Sequence, residues 1–135
     1  TSATTFQIVE KQSDEYPNAN LINNTLTCTL NNRILTYTFY NNKLTKIVDT
    51  NTSNDTNVNY VNSYIETQTK INELNKVTGV NAISIPETNK FTTNITIDYN
   101  IVNSNLTPND TLYYVKDTSA NTIKYELDAL GYTCN

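Results

Sequence analysis

The stretch that decides the fold is Leu26–Val48, which reads LTCTLNNRILTYTFYNNKLTKIV. Apolar and threonine side chains alternate along it with the two-residue period of a strand that buries one face. Two Asn-Asn pairs, Asn31-Asn32 and Asn41-Asn42, interrupt the alternation, and asparagine tolerates the positive φ that a two-residue hairpin turn requires. The stretch therefore predicts an antiparallel meander of three strands.

The two turns predict a register for this meander. Across the first turn Leu30 pairs with Arg33, which places Cys28 opposite Leu35, and across the second turn Leu35 lies opposite Val48. The apolar side chains then share one face: Leu26, Cys28, Leu30, Leu35, Tyr37, Phe39, Leu44 and Val48. The threonines share the other face: Thr27, Thr29, Thr36, Thr38 and Thr45. A slip of one residue would exchange the two sets.

After the meander the pattern becomes helical. Asp49–Asn57 is predicted as a polar loop, and apolar residues at helical spacing predict a helix of about twenty residues from Asn57 to Val77. Glu66 and Lys70 lie four residues apart in the order that favours an ion pair on a helix. Gly79 is placed to end this helix in the left-handed conformation.

The remaining segments predict further strands and a second helix. Val80–Ile85 and the alternation from Thr93 to Ile101 predict a hairpin, and Thr4–Val9 predicts a first strand. Leu112–Val115 is predicted as a short strand or an extended connector. A short helix over Ser119–Leu130, ended by Gly131, completes the chain.

These elements predict an α+β fold. We expect an antiparallel β-sheet of about five to six strands, packed on one face by a long α-helix, with a short C-terminal helix. The chain has 135 residues, no internal repeat and no break in composition, so residues 1–135 are expected to form a single domain.

The composition excludes several kinds of functional site. Asn and Thr fill 48 of the 135 positions, while His is absent and there are two Cys and two Gly. Without His, the usual zinc, haem and copper sites and a Ser-His-Asp triad cannot form. Two glycines do not make a phosphate-binding loop, and a net charge of −4 does not favour nucleic acid. We therefore expect no cofactor, no metal and no nucleic-acid partner.

The two cysteines, Cys28 and Cys134, are predicted to form a disulfide bond. Cys28 lies on the inner face of the predicted meander, and the three residues after Gly131 are enough to bring Cys134 back towards a strand. In the chain-entropy model such a bond contributes about 4–5 kcal/mol to stability. The alternative is two unpaired thiols, of which the one near the terminus would be a liability outside the cell.

Two polar patterns allow a binding-site hypothesis. Asp49, Asn51, Ser53 and Asp55 place oxygen ligands at alternate positions, as in the first half of a calcium loop. Asn54 stands where that loop needs glycine, so a polar loop that caps the following helix is favoured. Six of the ten tyrosines could instead form a stacking platform for a glycan or peptide, although a chain without Trp and Met also needs Tyr in its core: Tyr37, Tyr40, Tyr99, Tyr113, Tyr114 and Tyr125.

Carboxylate catalysis is not favoured. It needs two acids that converge with shifted pKa values. The thirteen acids are scattered, and only Asp14-Glu15 are adjacent, where successive residues of a strand would face opposite ways. We predict no catalytic residues.

Three segments are similar to the YehR-like family of small bacterial lipoproteins: the hairpin LTYTFYNNKL over 35–44, TIDY over 96–99, and the ending LDALGY over 127–132. The likeness covers most of the chain as a spaced pattern. It implies an exported domain that is tethered through a lipidated cysteine upstream and has no established activity. The polar opening Thr1-Ser2-Ala3-Thr4-Thr5 is also typical of an exported domain after its leader is removed.

The functional expectation is a non-enzymatic cell-envelope lipoprotein domain, extracytoplasmic and either membrane-anchored or secreted, with a binding or structural role. Its ligand would be a peptide, a glycan or a protein, and its contact with the membrane would be made only by the lipid anchor. The alternative is a small hydrolase or a protease-inhibitor-like module. A concave acid pair would favour the hydrolase, and a rigid protruding loop would favour the inhibitor.

Overall fold

The computed structural model describes residues 18–53, 59–88, 90–102 and 112–135, and in the helix that begins at Asn59 it describes side chains from Tyr64 onward. The predicted strand Thr4–Val9 lies outside the described residues. Within them, no helix is long and apolar enough to cross a lipid bilayer.

Across the described residues, six strands form one antiparallel sheet and two helices accompany it, which confirms the α+β class. The sheet order is β4-β5-β3-β2-β1-β6. The strands are β1 (Thr25–Leu30), β2 (Arg33–Tyr40), β3 (Lys43–Ser53), β4 (Val80–Glu87), β5 (Lys90–Asp98) and β6 (Thr133–Cys134). The helices are α1 (Asn59–Leu74) and α2 (Ala120–Ala129).

Both predicted Asn-Asn turns are present. Asn31 has φ 53°, and Asn41 and Asn42 have φ 52° and 62°. A third pair, Asn23-Asn24, adopts φ 54° and 62° and turns the chain into β1. Asparagine visits the left-handed region more easily than most residues, which explains why the same dipeptide recurs at each turn.

The predicted register is confirmed for the first hairpin and wrong for most of the second. Cys28 lies opposite Leu35 as predicted. In the second hairpin the register shifts after Phe39 and Leu44, so that Leu35 lies opposite Asp49 and not Val48. The shift is a β-bulge in which Thr45 is the extra residue of β3.

The bulge changes which side chains of β3 face the core. Ile47 is fully buried and Asp49 is 5% exposed, whereas Val48, predicted inside, lies half-buried on the other face.

The predicted polar loop over Asp49–Asn57 is also wrong in its first half. β3 continues to Ser53 because it pairs with β2 on one side and with β5 on the other.

The hairpin of β4 and β5 is present as predicted, but its bounds differ: β5 begins earlier, at Lys90, and ends at Asp98, whereas its alternation predicted a strand to Ile101. β4 does not stop at Pro86 but ends at Glu87, which pairs with Lys90. β4 is an edge strand, where the missing N–H of a proline costs no hydrogen bond of the ladder.

The long helix of the prediction is not supported. α1 has 16 residues, which is about 24 Å, and it ends at Leu74. It contacts β4, which is an edge strand, and the neighbouring strand β5. Ile71 is buried, whereas Ile65, predicted on the apolar stripe, is 57% exposed. Gly79 does not end α1 but precedes β4 with φ +94°, where a Cβ atom would lie 2.7 Å from the backbone nitrogen of Val102.

α2 begins and ends as its sequence predicts. The Ser119 hydroxyl accepts a hydrogen bond from the Thr122 backbone N–H and caps the first turn. At the other end, Gly131 has φ +98°, and the N–H of Tyr132 donates to the carbonyl of Leu127. This is the Schellman arrangement, which satisfies carbonyls that a helix end leaves unpaired.

One apolar cluster joins both helices to the inner face of the sheet. Its completely buried members come from three strands and α2: Leu26, Cys28, Leu35, Tyr37, Leu44, Ile47, Ile123 and Leu127. Leu30 is only half-buried, and Ile101 and Leu130 are 59% and 58% exposed, so these three side chains contribute less than their patterns predicted.

The predicted disulfide bond between Cys28 and Cys134 is present. The S–S distance is 2.04 Å, and the two residues lie directly opposite each other in β1 and β6. The Asn135 N–H also donates to the Thr27 carbonyl, so the C-terminus is held at the edge of the sheet. A disulfide indicates an oxidising compartment, such as one outside the cytoplasm.

Candidate functional site

The inner face of the sheet changes from apolar to polar along its strands. One cross-strand row is formed by Leu26, Tyr37, Ile47, Ile97 and Val80. Further along the strands a parallel row is formed by Leu30, Arg33, Asn51, Thr93 and Ser84. The second row carries groups that need hydrogen bonds, so this end of the face does not continue the apolar core.

A cleft of about 320 Å³ opens between this polar end of the sheet and α1. Its volume is at the lower end of the range found for small-molecule sites. The helix contributes Glu66, Thr67 and Lys70, and the sheet contributes Arg33, Asp49, Asn51, Ser53, Phe91, Thr93 and Ile95.

An ion pair forms part of the wall of the cleft. Arg33 donates to both oxygens of Asp49, from Nε to Oδ1 at 3.0 Å and from Nη2 to Oδ2 at 2.8 Å. The Tyr113 hydroxyl also donates to Oδ2, at 2.5 Å. Only 6% of the Asp49 side chain is exposed. The carboxylate is therefore fully committed to protein donors, and the two-pronged contact holds the guanidinium plane in one orientation.

The apolar part of the wall is held by an aromatic contact. The rings of Tyr64 in α1 and Phe91 in β5 meet edge to face, with centroids 5.4 Å apart. This contact holds α1 against the sheet near the start of β5. Phe91 is 3% exposed, so its ring supports the cleft and offers little surface for stacking a ligand.

Several polar side chains of the cleft have no protein partner among the described residues. Neither Glu66 nor Lys70 is in an ion pair there, although their spacing allows one. No hydrogen bond within the described part of the chain engages the side chains of Asn51, Ser53, Thr67 or Thr93. The cleft thus offers one carboxylate, one ammonium group and four neutral hydrogen-bonding groups.

A buried hydroxyl lies in the same polar row. Ser84 pairs with Thr93, and its Oγ atom is buried without a hydrogen-bond partner among the described residues. Buried polar atoms in folded proteins normally have partners, so this exception marks the polar row as a place where the chain leaves hydrogen bonds unmade.

The predicted calcium pattern is partly brought together, but its chemistry is different. Asp49, Asn51 and Ser53 lie on one face of β3 and line the cleft, whereas Asp55 lies outside the described residues. Asp49 is already paired with Arg33. In the described ranges, no group of three His, Cys, Asp or Glu residues could hold a metal ion.

The predicted tyrosine platform is not assembled. Tyr37, Tyr99 and Tyr113 are buried, and the Tyr37 hydroxyl donates to the Leu112 carbonyl at 3.0 Å. The Tyr99 hydroxyl donates to the Tyr114 carbonyl, and burial raises the pKa of Tyr99 to about 12. These hydroxyls hold the connector 112–115 against the sheet, and that connector is not a strand.

The two remaining tyrosines of the hypothesis are also apart from the cleft. Tyr40 and Tyr125 are 71% and 50% exposed and do not line it. The hydroxyl of Tyr114, in the connector 112–115, donates a hydrogen bond to Glu126 of α2, and burial raises the pKa of that carboxyl above its ordinary value. The tyrosines therefore serve mainly the core and the connector.

Comparison with protein-family models, curated proteins and solved structures gives no match to this chain. The functional assignment consequently depends on the cleft and on its chemistry.

Sequence reasoning singled out Asp49, Asn51 and Ser53 as a calcium pattern and Glu66 and Lys70 as an ion pair, but it did not bring the two sets together in one site. Arg33 could have been found, because the alternation that places Leu35 inside also places Arg33 on the inner face beside a turn. Thr67 and Phe91 carry no such signal, since they meet only when α1 is laid across the end of β5.

Proposed function

We propose that this chain is a non-enzymatic, extracytoplasmic binding domain that holds a small polar ligand without net charge in the cleft between α1 and the sheet. The observation that carries the proposal is the set of polar side chains in the cleft that have no hydrogen-bond or ion-pair partner within the described ranges. They lie on rigid strands and one helix, which limits the ordering that a ligand must impose on the protein.

The charge balance of the cleft supports a ligand without net charge. The positive charge of Arg33 is neutralised by Asp49 at 2.8 Å. Glu66 and Lys70 contribute one negative and one positive charge. An ion of either sign would gain from one of these groups and be opposed by the other, whereas a zwitterion or a neutral polyol meets no such penalty.

The size of the cleft favours a ligand such as a free amino acid, a short peptide or a monosaccharide. About 320 Å³ is enough for a small molecule and too little for a folded partner to enter. A binding role is preferred to carboxylate catalysis because Asp49 already accepts three hydrogen bonds from protein groups.

The location is supported by the disulfide bond between Cys28 and Cys134, which persists in oxidising compartments. We further propose that the domain is tethered to a bacterial membrane through a lipidated cysteine upstream, as the likeness to YehR-like lipoproteins implies. The disulfide bond would form with or without a membrane anchor. The proposed binding role likewise does not require the anchor.

The proposal is tested by measuring the melting temperature with a panel of amino acids, dipeptides and monosaccharides. A ligand at a hundred times its Kd stabilises the folded state by about 2.7 kcal/mol, which gives a clear thermal shift. We expect at least one member of the panel to bind at the cleft. If no member shifts the melting temperature, the proposal is wrong.

Variants then show where the ligand binds and which chemistry it uses. For an amino acid, Glu66→Gln and Lys70→Met should each weaken binding about tenfold, or about 1.4 kcal/mol. The matched controls Glu73→Gln and Lys76→Met change an exposed ion pair outside the cleft and should leave binding unchanged. For a sugar, Thr93→Val should weaken binding, while Thr96→Val, on the other face of the same strand, should not.

A further inference from the structure

The outer edge of β4 is closed by a side chain. The Asn75 amide nitrogen donates to the Ala82 carbonyl at 2.8 Å, and the Ala82 N–H donates to the Asn75 amide oxygen at 2.7 Å. These are the two bonds that the backbone of a neighbouring antiparallel strand would make to Ala82. Asn75 follows directly after α1, so the end of the helix places its amide at the edge of the sheet.

The other outward N–H groups of β4 are mostly unavailable as well. In a β-strand alternate residues direct their N–H and C=O groups to the same side, so Val80, Ser84 and Pro86 face outward with Ala82. The Val80 N–H donates to the Val77 carbonyl at 3.1 Å, and Pro86 has no N–H. Of the four, Ser84 alone keeps an outward N–H with no acceptor among the described residues.

The rest of β4 offers little protection against pairing with another strand. Exposed sheet edges are usually guarded by charged side chains, lysine above all, or by proline. β4 carries a single charge, Glu87, and its outer face exposes Ile83 and Ile85 at 47% and 49%. Of the described residues, Asn75 therefore protects the middle of this edge and Pro86 protects its end.

We propose that Asn75 occupies the place of a seventh strand and keeps a second copy of this chain from pairing with β4. A second copy is the fitting partner because β4 is self-complementary in one antiparallel register. With Ile83 opposite its symmetry mate, Ala82 lies opposite Ser84 of the other copy on both sides of the axis. No like charges then face each other, since Glu87 lies beyond the last paired residue.

In this register the Ala82 backbone groups that the Asn75 amide now occupies can pair with the other copy. Each Ala82 can exchange two hydrogen bonds with a Ser84, and the exposed Ile83 side chains meet in a non-hydrogen-bonded pair. The amide of Asn75 competes for the same Ala82 groups, and it does so within one molecule. The intact chain therefore keeps the edge closed at any concentration, and removal of the amide opens it.

The test compares the mass in solution of the intact chain with that of Asn75→Ala. We expect the intact chain at 15.3 kDa and a shift of Asn75→Ala towards twice this mass as the concentration rises. Asn72→Ala, an exposed position in α1, is the matched control and should behave as the intact chain does. Asn75→Ala combined with Ile83→Lys should return to the single-chain mass, because two lysines would then face each other.

A folded Asn75→Ala variant that keeps the single-chain mass at every concentration would overturn the proposal. Hydrogen exchange of the intact chain provides a second test that needs no variant. The Ala82 amide should exchange much more slowly than the Ser84 amide, although both face the same edge. Equal rates would show that Asn75 does not hold the edge, whatever the fate of the variants.

Discussion

The two hairpins that share β2 begin with the same Asn-Asn dipeptide but end in different registers. Across Asn31-Asn32 the pairing runs without interruption from Leu30 and Arg33 to the start of β1. Across Asn41-Asn42 it shifts after two pairs, where Thr45 is left as the extra residue of a bulge. The turn thus determines where a hairpin begins, and it does not determine how far its register continues.

The difference lies in which side chains the shifted strand must bury. Without the bulge, Lys46 would lie on the inner face between Leu44 and Val48. With it, Ile47 is fully buried and Lys46 is exposed. Burial of an isolated ammonium group is far more costly than the loss of one ladder position, so the bulged register is favoured.

The bulge also brings Asp49 to the inner face, and this links the register to the cleft. A buried carboxylate must be paired, and Arg33 and Tyr113 supply the partners. Asn51 and Ser53 follow Asp49 onto the same face and line the cleft. The irregularity of the second hairpin therefore creates the polar end of the sheet on which the proposed function depends.

The largest expected effect comes from Leu35→Asp, which affects both hairpins at once. Leu35 is completely buried and lies opposite Cys28 in one hairpin and Asp49 in the other. A new unpaired charge there, beside an existing carboxylate, should cost about 4 kcal/mol or more and abolish the folded state. Urea denaturation followed by circular dichroism measures this loss.

Ile34→Asp is the matched control for this variant. Ile34 is the preceding residue of β2, faces the other side of the sheet and is 43% exposed. Its effect should be small. Similar losses of stability in the two variants would mean that the inner and outer faces of β2 have been assigned wrongly.

A smaller effect is expected from Arg33→Met, which acts on the second hairpin through Asp49. The carboxylate would stay buried without its counter-ion, and removal of one partner of a buried ion pair costs about 3–5 kcal/mol. The change in free energy of unfolding can be measured in urea at neutral pH.

The double variant Arg33→Met with Asp49→Leu shows whether the charge is the cause. Asp49 lies between Leu35 and Ile95 in its row, so leucine meets apolar neighbours there. We expect the double variant to recover much of the lost stability. If it is less stable than Arg33→Met alone, the cost comes from packing and not from the unpaired carboxylate.

The smallest effect, and the sharpest comparison, is expected from deletion of Thr45. Removing this residue joins Leu44 directly to Lys46 and leaves every later residue of β3 on its present face. The loss should be about 2 kcal/mol, from the hydrogen bonds of Thr45 to the Thr38 carbonyl and from the Tyr99 N–H. Thermal unfolding monitored by circular dichroism gives the change.

Deletion of Thr36 is the control in the regular part of β2. It would turn the following inward residues outward, because side chains alternate along a strand, and should abolish folding. If both deletions unfold the chain, the bulge is required for a reason other than placing Ile47 and Asp49 on the inner face of the sheet.

Local patterns predicted the parts of the fold that depend on neighbours in the sequence. The hairpin turns, the first register, the hairpin of β4 and β5 and the ends of α2 follow from φ preferences, alternation and capping residues. The pairing of Cys28 with Cys134 followed from having two cysteines, one of them on an inner face. In the candidate site the local signals were the alternation along the strands, which places Arg33, Thr93 and the alternate residues of β3 on one face, and the spacing of Glu66 and Lys70.

The predictions were wrong where the structure depends on contacts between segments that are distant in the sequence. The polar composition after Asp49 predicted a loop, yet β3 continues because two neighbouring strands satisfy its backbone. Helical spacing predicted a longer α1 with Ile65 inside. In the described part of the chain α1 contacts β4 and β5 at one edge of the sheet, and Ile65 is left 57% exposed.

The sequence by itself determined that this chain makes Asn-turned antiparallel strands with one apolar face, two helices and a disulfide, because these features depend on local dihedral angles and short-range periodicity. Only the tertiary structure decided that Thr45 bulges, that Asp49 is buried against Arg33 and Tyr113, and that Asn75 closes β4. Each of these outcomes depends on the free energy of burying or pairing one group with a partner that lies elsewhere in the fold. Tyr113 is 64 residues from Asp49, and no local pattern records that they meet.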